Sequence, residues 1–212
     1  MNELNNKQLL ELIKTDVEGF NKYREEYPNQ KIDFSGAYLY KANLEGANLE
    51  GSNLYRADLL WANLQGANLK GVDFYGAYLG RADLKGACIE GAYLKGADLE
   101  EAYLEGAYLK EADITGANLQ DAYLGMANLQ GSNLKGANLQ DAYLGMAYLK
   151  ESDITGANLQ DANLEGANLC GANLRRANLR RANLDGANLD GANLEYSKIT
   201  LTRENIDAIK GA

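Results

Sequence analysis

The sequence predicts an all-β solenoid: a tube with four short sides to each coil, plugged by short helices at both ends. Two observations carry this reading. A Leu, Phe or Ile recurs at every fifth residue from Phe34 to Ile199 without one slip. Longer stretches recur at larger spacings: Gly116 to Ala127 returns identically as Gly136 to Ala147, and Asp113 to Ala122 returns as Asp153 to Ala162. A fixed period in sequence marks a repeat architecture, in which each unit stacks only on its neighbours.

A period of five fits neither the 3.6 of a helix nor the 2.0 of a flat strand. Something must turn the chain once per repeat. In Ala42-Asn43-Leu44 the Ala and Leu are two residues apart, so in an extended segment they share one face. The next two residues, often ending in Gly as in Glu45-Gly46 and Gln65-Gly66, carry turn chemistry. Each repeat is therefore a short side and a corner, with Ala and Leu inward and three positions outward. The duplications count the sides. A copy displaced by a whole coil keeps its stacking, so the shortest shift, from Gly116 to Gly136, is one coil of four repeats. Residues 32–199 then make about eight coils, a rod of roughly 40 Å at the strand spacing. Outward charges agree in part. One column reads Glu50, Lys70, Glu90, Lys110; another reads Lys41, Trp61, Arg81, Glu101, Asp121, Asp141, Asp161, Arg181. Opposite charges meet at Arg81–Glu101 and Asp161–Arg181, while the acidic run between them is a like-charge series.

The repeat, Ala-Asn-Leu-Glu-Gly and its variants, resembles the A(D/N)LXX signature of the pentapeptide-repeat family over about four-fifths of the chain. The resemblance implies a right-handed quadrilateral β-helix whose Leu ladder fills the tube while Ala lines the remaining inner positions. Large residues are not expected at the Ala position. Ile32 beside Phe34 and Val72 beside Phe74 are the larger inner pairs.

Open tube ends need caps. Residues 1–31 break the period and are expected to form an N-terminal helical cap, 32–199 the coil, and 200–212 a C-terminal cap. Leu9, Ile13, Val17 and Phe20 lie at helical spacing. Thr15 with Glu18 reads as a capping box, giving helices near 6–14 and 16–26, closed by Pro28. The segment from Gly19 to Arg24, leading to Ile32-Asp33-Phe34, is similar to the helical start of cyanobacterial-type members of the family. At the far end Thr202 is placed to cap a last helix carrying Ile206 and Ile209, with Gly211 after it. A monomer is favoured, with a dimer through an end cap as the alternative.

Composition narrows the function. The chain of 212 residues has a formal charge of −9, against the Lys/Arg surplus that direct nucleic-acid binding needs. It contains no His, the commonest general acid–base residue and metal ligand. Cys88 and Cys170 are expected to point outward about four coils apart, too far for a disulfide. No apolar run approaches the roughly 18 residues of a membrane span, and the first residues lack a signal-peptide pattern, so a cytoplasmic protein is expected. No catalytic triad, phosphate loop or zinc spacing occurs, and acidic side chains on a convex tube lack the cleft that catalysis needs. Neither an enzyme nor a resident cofactor or metal is expected.

What remains is decoration. Tyr103, Tyr123 and Tyr143 share one column, with Met126 and Met146 beside them and Tyr108 and Tyr148 around the corner. Binding surfaces gain Tyr and Met and lose charge. The plainer reading is a stacking ladder that supports the coils. Arg175, Arg176, Arg180 and Arg181 form a basic band, read either as an anion or partner contact or as neutralisation of Asp161 and Glu195. The column Asp121, Asp141, Asp161 is read as a solvated edge rather than a cation site. The reading is a non-enzymatic scaffold for an unidentified protein partner. The family resemblance adds two alternatives: a DNA-mimicking modulator of a type II topoisomerase, as in quinolone resistance, and a regulator of differentiation or stress signalling.

Overall fold

The computed structural model describes residues 3–199. From Asp33 onward the chain winds as a four-sided tube. Each isolated β-bridge is parallel and joins residues 20 apart, as in Asp33 to Asn53, Asn118 to Asn138 and Asn173 to Asn193. The strand fragments β1 (Asn178–Leu179) and β2 (Lys198–Ile199) pair in the same register. The coil of four repeats read from the duplications is the coil observed.

One repeat shows how the backbone is satisfied. Leu119 N–H donates to the Asn138 carbonyl at 2.7 Å, and Asn138 N–H donates back to the Ala117 carbonyl at 2.9 Å. Asp121 N–H reaches the Gln140 carbonyl at 3.0 Å, and Ala122 N–H closes the corner onto the Leu119 carbonyl at 3.1 Å. Repeats between the two end coils thus pass their polar backbone groups to the coils above and below, which lets the interior be filled almost entirely by apolar side chains. Leu and Ala of the middle coils are buried, as are the larger pairs Ile32–Phe34 and Val72–Phe74. Ser132 and Ser152 occupy the small inner position and return their hydroxyls to the carbonyls of Leu129 and Leu149, both at 2.7 Å.

The Asn between Ala and Leu has a double role. Asn138 Oδ1 accepts from Gln140 N–H at 3.3 Å, an Asx turn that starts the corner. Its amide donates to Asn118 Oδ1 at 3.1 Å, and Asn158 and Asn178 continue the staircase. The corner itself bends through positive φ. The second residue after each inward Leu has φ between 52° and 69° from Gly36 to Tyr196. With a hydrogen bond across it, this is a type II turn, for which Gly is the unstrained choice. One corner refuses Gly throughout: Lys41, Trp61, Arg81, Glu101, Asp121, Asp141, Asp161 and Arg181 all sit at positive φ. The result is a ridge of side chains along one edge.

The charge columns resolve unequally. Arg81 meets Glu101 and Arg181 meets Asp161, each at 2.6 Å. The column from Glu50 to Lys110 does not close into ion pairs. Lys110 turns instead to its chain neighbour Glu111 at 3.6 Å, and Glu50 accepts from Asn68 at 3.1 Å. Exposed long side chains gain too little from any one partner to hold a prescribed one.

The N-terminal cap is two helices, α1 (Asn6–Thr15) and α2 (Val17–Glu26). Leu9, Ile13 and Phe20 are fully buried, while Val17 is only partly so. The capping box lies elsewhere than expected. Asn5 and Gln8 form it at the start of α1. Thr15 ends α1, its hydroxyl bonded back to the Glu11 carbonyl at 2.9 Å. Asp16 caps α2 by accepting from Gly19 N–H at 2.8 Å. A Cβ on Gly19 would fall 2.2 Å from the Asp16 carboxylate, so the glycine makes room for the cap.

This cap supplies what the first coil lacks. With no coil above it, the N–H groups at Asp33 and Asn48 have no ladder partner. Asn6 Oδ1 takes the first at 3.2 Å and Asn21 Oδ1 the second at 2.8 Å. Asn21 also donates to the Gly46 carbonyl at 2.9 Å. Arg24, buried, donates to the carbonyls of Gln30 and Glu50 at 2.9 and 2.8 Å. Replacing Arg24 by Ala is expected to cost about 1.5–3 kcal/mol, the range for hydrogen bonds to charged groups. Thermal unfolding measures the loss, and faster hydrogen exchange confined to the first coil locates it. At the other end Leu194 and Ala192 are only partly buried, and the expected helix around Ile206 and Ile209 lies outside the described residues.

Candidate interaction face

The bridges Tyr103 to Tyr123 and Tyr123 to Tyr143 place these tyrosines one above another on one side of the tube. Tyr103 and Tyr123 stack, with ring centroids 5.2 Å apart and planes inclined by 8°. In this part of the column the rings support each other, and Tyr123 stays as exposed as Tyr143. Lys85 lies over the Tyr103 ring at 4.9 Å and closes its upper end.

Tyr143 behaves differently. Its ring lies across the backbone of two glycines. A Cβ at Gly125 would sit 2.8 Å from Tyr143 Cε1, and one at Gly145 would sit 2.6 Å from Tyr143 Oη. In this orientation the ring occupies the space that a Cβ at either position would take. The corner that follows this side is Gly at 46, 66, 86, 106, 166 and 186, and breaks only at Met126 and Met146. In two successive coils the ordinary order of the corner, a polar residue then Gly, becomes Gly then Met. The inversion moves Gly off the position with positive φ. Met126 and Met146 adopt φ of 57° and 56°, the region a side chain disfavours by about 1–2 kcal/mol per residue. They gain no burial in return, being 65% and 64% exposed.

Around that corner Tyr108 and Tyr148 are also exposed. Each is followed by an ion pair between chain neighbours, Lys110 with Glu111 at 3.6 Å and Lys150 with Glu151 at 3.5 Å. Below Met146 a shallow groove of about 470 Å³ runs between Tyr143, Met146, Glu165, Gly166, Asp185 and Gly186. All seven residues of the expected face thus fall on two adjacent sides, with the two methionines on the edge between them.

The basic band is less united. Arg175 binds Glu195 at 3.3 Å and covers the Tyr196 ring at 5.6 Å. Arg181 is held by Asp161. Arg176 and Arg180 stand exposed without an ion-pair partner among the described residues. In the acidic column, Gln120, Gln140 and Gln160 each donate to the following Asp at 3.1–3.2 Å. Hydrogen bonds from Gln160 and then Arg181 hold the Asp161 carboxyl below its ordinary range. Among the described residues no group of three or more His, Cys, Asp and Glu is arranged to hold a metal ion. Cys88 and Cys170 are free thiols.

A second aromatic cluster escaped the sequence reading. Tyr55 and Tyr75 stack at 5.7 Å and, with Tyr93, Lys95, Asp73 and Asp113, line a groove of about 520 Å³; Arg56 covers the Tyr55 ring at 5.2 Å. These tyrosines occupy two different repeat positions. Only the 20-residue spacing of Tyr55 and Tyr75 could have signalled them.

A closed four-sided tube whose chemistry lies wholly in outward decoration defines the molecule as a repeat solenoid, and its section is that of a right-handed quadrilateral β-helix. The chain belongs to the pentapeptide-repeat family. The family model, described as pentapeptide repeats, matches in 8 copies over residues 32–71, 57–96, 87–125, 117–156 and 157–195. Among solved structures, the chain is similar to HetL, a pentapeptide repeat protein involved in heterocyst differentiation regulation in the cyanobacterium Nostoc. The identity is 34%, covering 79% of this chain and 84% of HetL, with a TM-score of 0.63. It is also similar to trypsin-treated QnrB1, a plasmid-mediated fluoroquinolone resistance protein, at 23% identity over 79% of this chain and 89% of that one, with a TM-score of 0.64. The second likeness speaks to the fold alone. No curated protein sequence matches the chain. Among the described residues no helix is long and apolar enough to cross a membrane.

Proposed function

We propose that this protein is a non-enzymatic cytoplasmic scaffold that binds a protein partner through the face carrying Tyr123, Tyr143, Met126 and Met146. One observation carries the reading: two exposed methionines hold strained corners in a column that is otherwise glycine. Strain without a local return is a mark of function rather than of folding. Flexible, polarizable Met beside flat Tyr is the chemistry of adaptable protein contact. HetL, with its regulatory role, is a relative for which such a contact makes sense. Hydrogen exchange on the complex with the native partner should show protection on this face. A footprint confined to other sides of the tube refutes the proposal.

A DNA-mimicking role is the second reading, favoured by the acidic coil and the fold shared with QnrB1. The charge density argues against it. Residues 32–199 hold 22 acidic and 14 basic side chains. Over a rod of roughly 40 Å the surplus is about one charge per 5 Å, against about one per 1.7 Å for duplex DNA. The purified protein is therefore expected to leave gyrase supercoiling, and its inhibition by quinolones, unchanged at micromolar concentration. Inhibition or protection that disappears at raised salt would promote the mimic.

A further inference from the structure

The column beside the methionines reads Lys85, Glu105, Gly125, Gly145, Glu165, Asp185. Two glycines interrupt a charged row, and the Tyr143 ring fills the gap. Carboxylates bound it at both ends, and none is well satisfied. Glu105 Oε1 meets Lys85 only at 4.0 Å, and Oε2 is buried with no hydrogen-bond partner. At the other end Glu165 and Asp185 are one coil apart in the groove beside Tyr143 and Met146. Among the described residues neither side chain has a hydrogen-bond or ion-pair partner. Adjacent like charges destabilise each other across stacked strands, so the lower end gains from an incoming cation. Glu105 and Glu165 lie three coils apart, roughly 14 Å along the axis at the strand spacing.

Resting on the face proposed above, we infer that its occupant is a polypeptide segment with an apolar or aromatic centre flanked on both sides by Arg or Lys. The apolar centre packs on the Tyr143 ring and between the two methionine side chains. One cation reaches Glu105, the other Glu165 and Asp185. In an extended segment, residues four apart point to one side and span about 13 Å. The pattern is thus basic, any, apolar, any, basic. Charge complementarity selects this occupant over an uncharged strand or an acidic one.

The probe is a fluorescein-labelled peptide with the core Arg-Ser-Phe-Ser-Arg, titrated with the full chain and followed by anisotropy. Two controls match it: one with Glu in place of both Arg, one with both Arg moved to the same end. Saturable binding is expected for the first peptide, at least tenfold tighter than for either control, and weaker as salt rises. Glu105→Gln with Glu165→Gln should weaken it at least tenfold. Asp121→Asn with Asp141→Asn, an equal charge change on another edge, should leave it within twofold. Circular dichroism of each variant checks that the coil is intact. Equal binding of the three peptides, equal effects of the two charge variants, or no saturation at millimolar protein overturns the inference. If Met126→Gly with Met146→Gly lowers affinity for the native partner while the Glu105/Glu165 variant does not, the face stands and the basic occupant falls. If neither variant changes that affinity, both fall.

Discussion

Leu119→Ala is expected to lower the free energy of unfolding by about 2–5 kcal/mol, the range for large-to-small changes in a packed core. Leu119 is 1% exposed and lies in a middle coil, with Leu99 above it and Leu139 below in the same ladder. The backbone around it cannot close the cavity, because each neighbouring N–H and C=O is tied to the coils on either side. Leu119 N–H itself is bonded to the Asn138 carbonyl at 2.7 Å. The loss should therefore fall in the upper part of the range. The same change at the partly buried Leu194 should cost less. Ala117→Leu tests the opposite direction. Ala117 is also 1% exposed, and the tube has no slack for three more carbons, so overpacking of about 1–3 kcal/mol or more is expected. Urea or thermal unfolding measures both. Unchanged transitions would mean that these side chains do not fill the tube.

The tube was legible because its two periods are imposed by packing. Leu must return to the inside once per side, which fixes five, and a duplicated segment must stack on itself, which fixes 20. Local alternatives were not legible. Thr15 and Asp16 are both competent caps, and the choice falls to Asp16 because Gly19 leaves space for its carboxylate, while Thr15 bonds backward along α1. The Glu50 to Lys110 column looked like a ladder, but exposed Lys110 has a nearer partner in Glu111. On the candidate face the sequence placed the tyrosines in one column but could not tell stacking from display. Only ring orientation separates Tyr123, which stacks on Tyr103, from Tyr143, which lies across Gly125 and Gly145. The meaning of Gly125-Met126 and Gly145-Met146 depended on knowing which corner residue takes positive φ.

Restoring glycine at these two corners is expected to move stability and binding in opposite directions. Met126→Gly with Met146→Gly restores the residue found at the other six corners of the column. It relieves two strained backbones at φ 57° and 56° and removes side chains that are mostly in water. Against this stands the greater freedom Gly has in the unfolded chain, which returns about 0.5–1 kcal/mol per site. The net expectation is a gain of roughly 1–2 kcal/mol for the pair, given a left-handed penalty of about 1–2 kcal/mol per residue. For a chain of this length that is a rise of about 2–8 °C in Tm. Affinity for the partner, and for the basic–aromatic peptide, should fall at least tenfold, because the flexible apolar contacts on the edge are gone while the coil is intact. Differential scanning calorimetry and a binding titration on the same preparation give both numbers. A double variant that is less stable would show that the methionines support the tube. One that is more stable yet binds unchanged would remove the methionines from the contact.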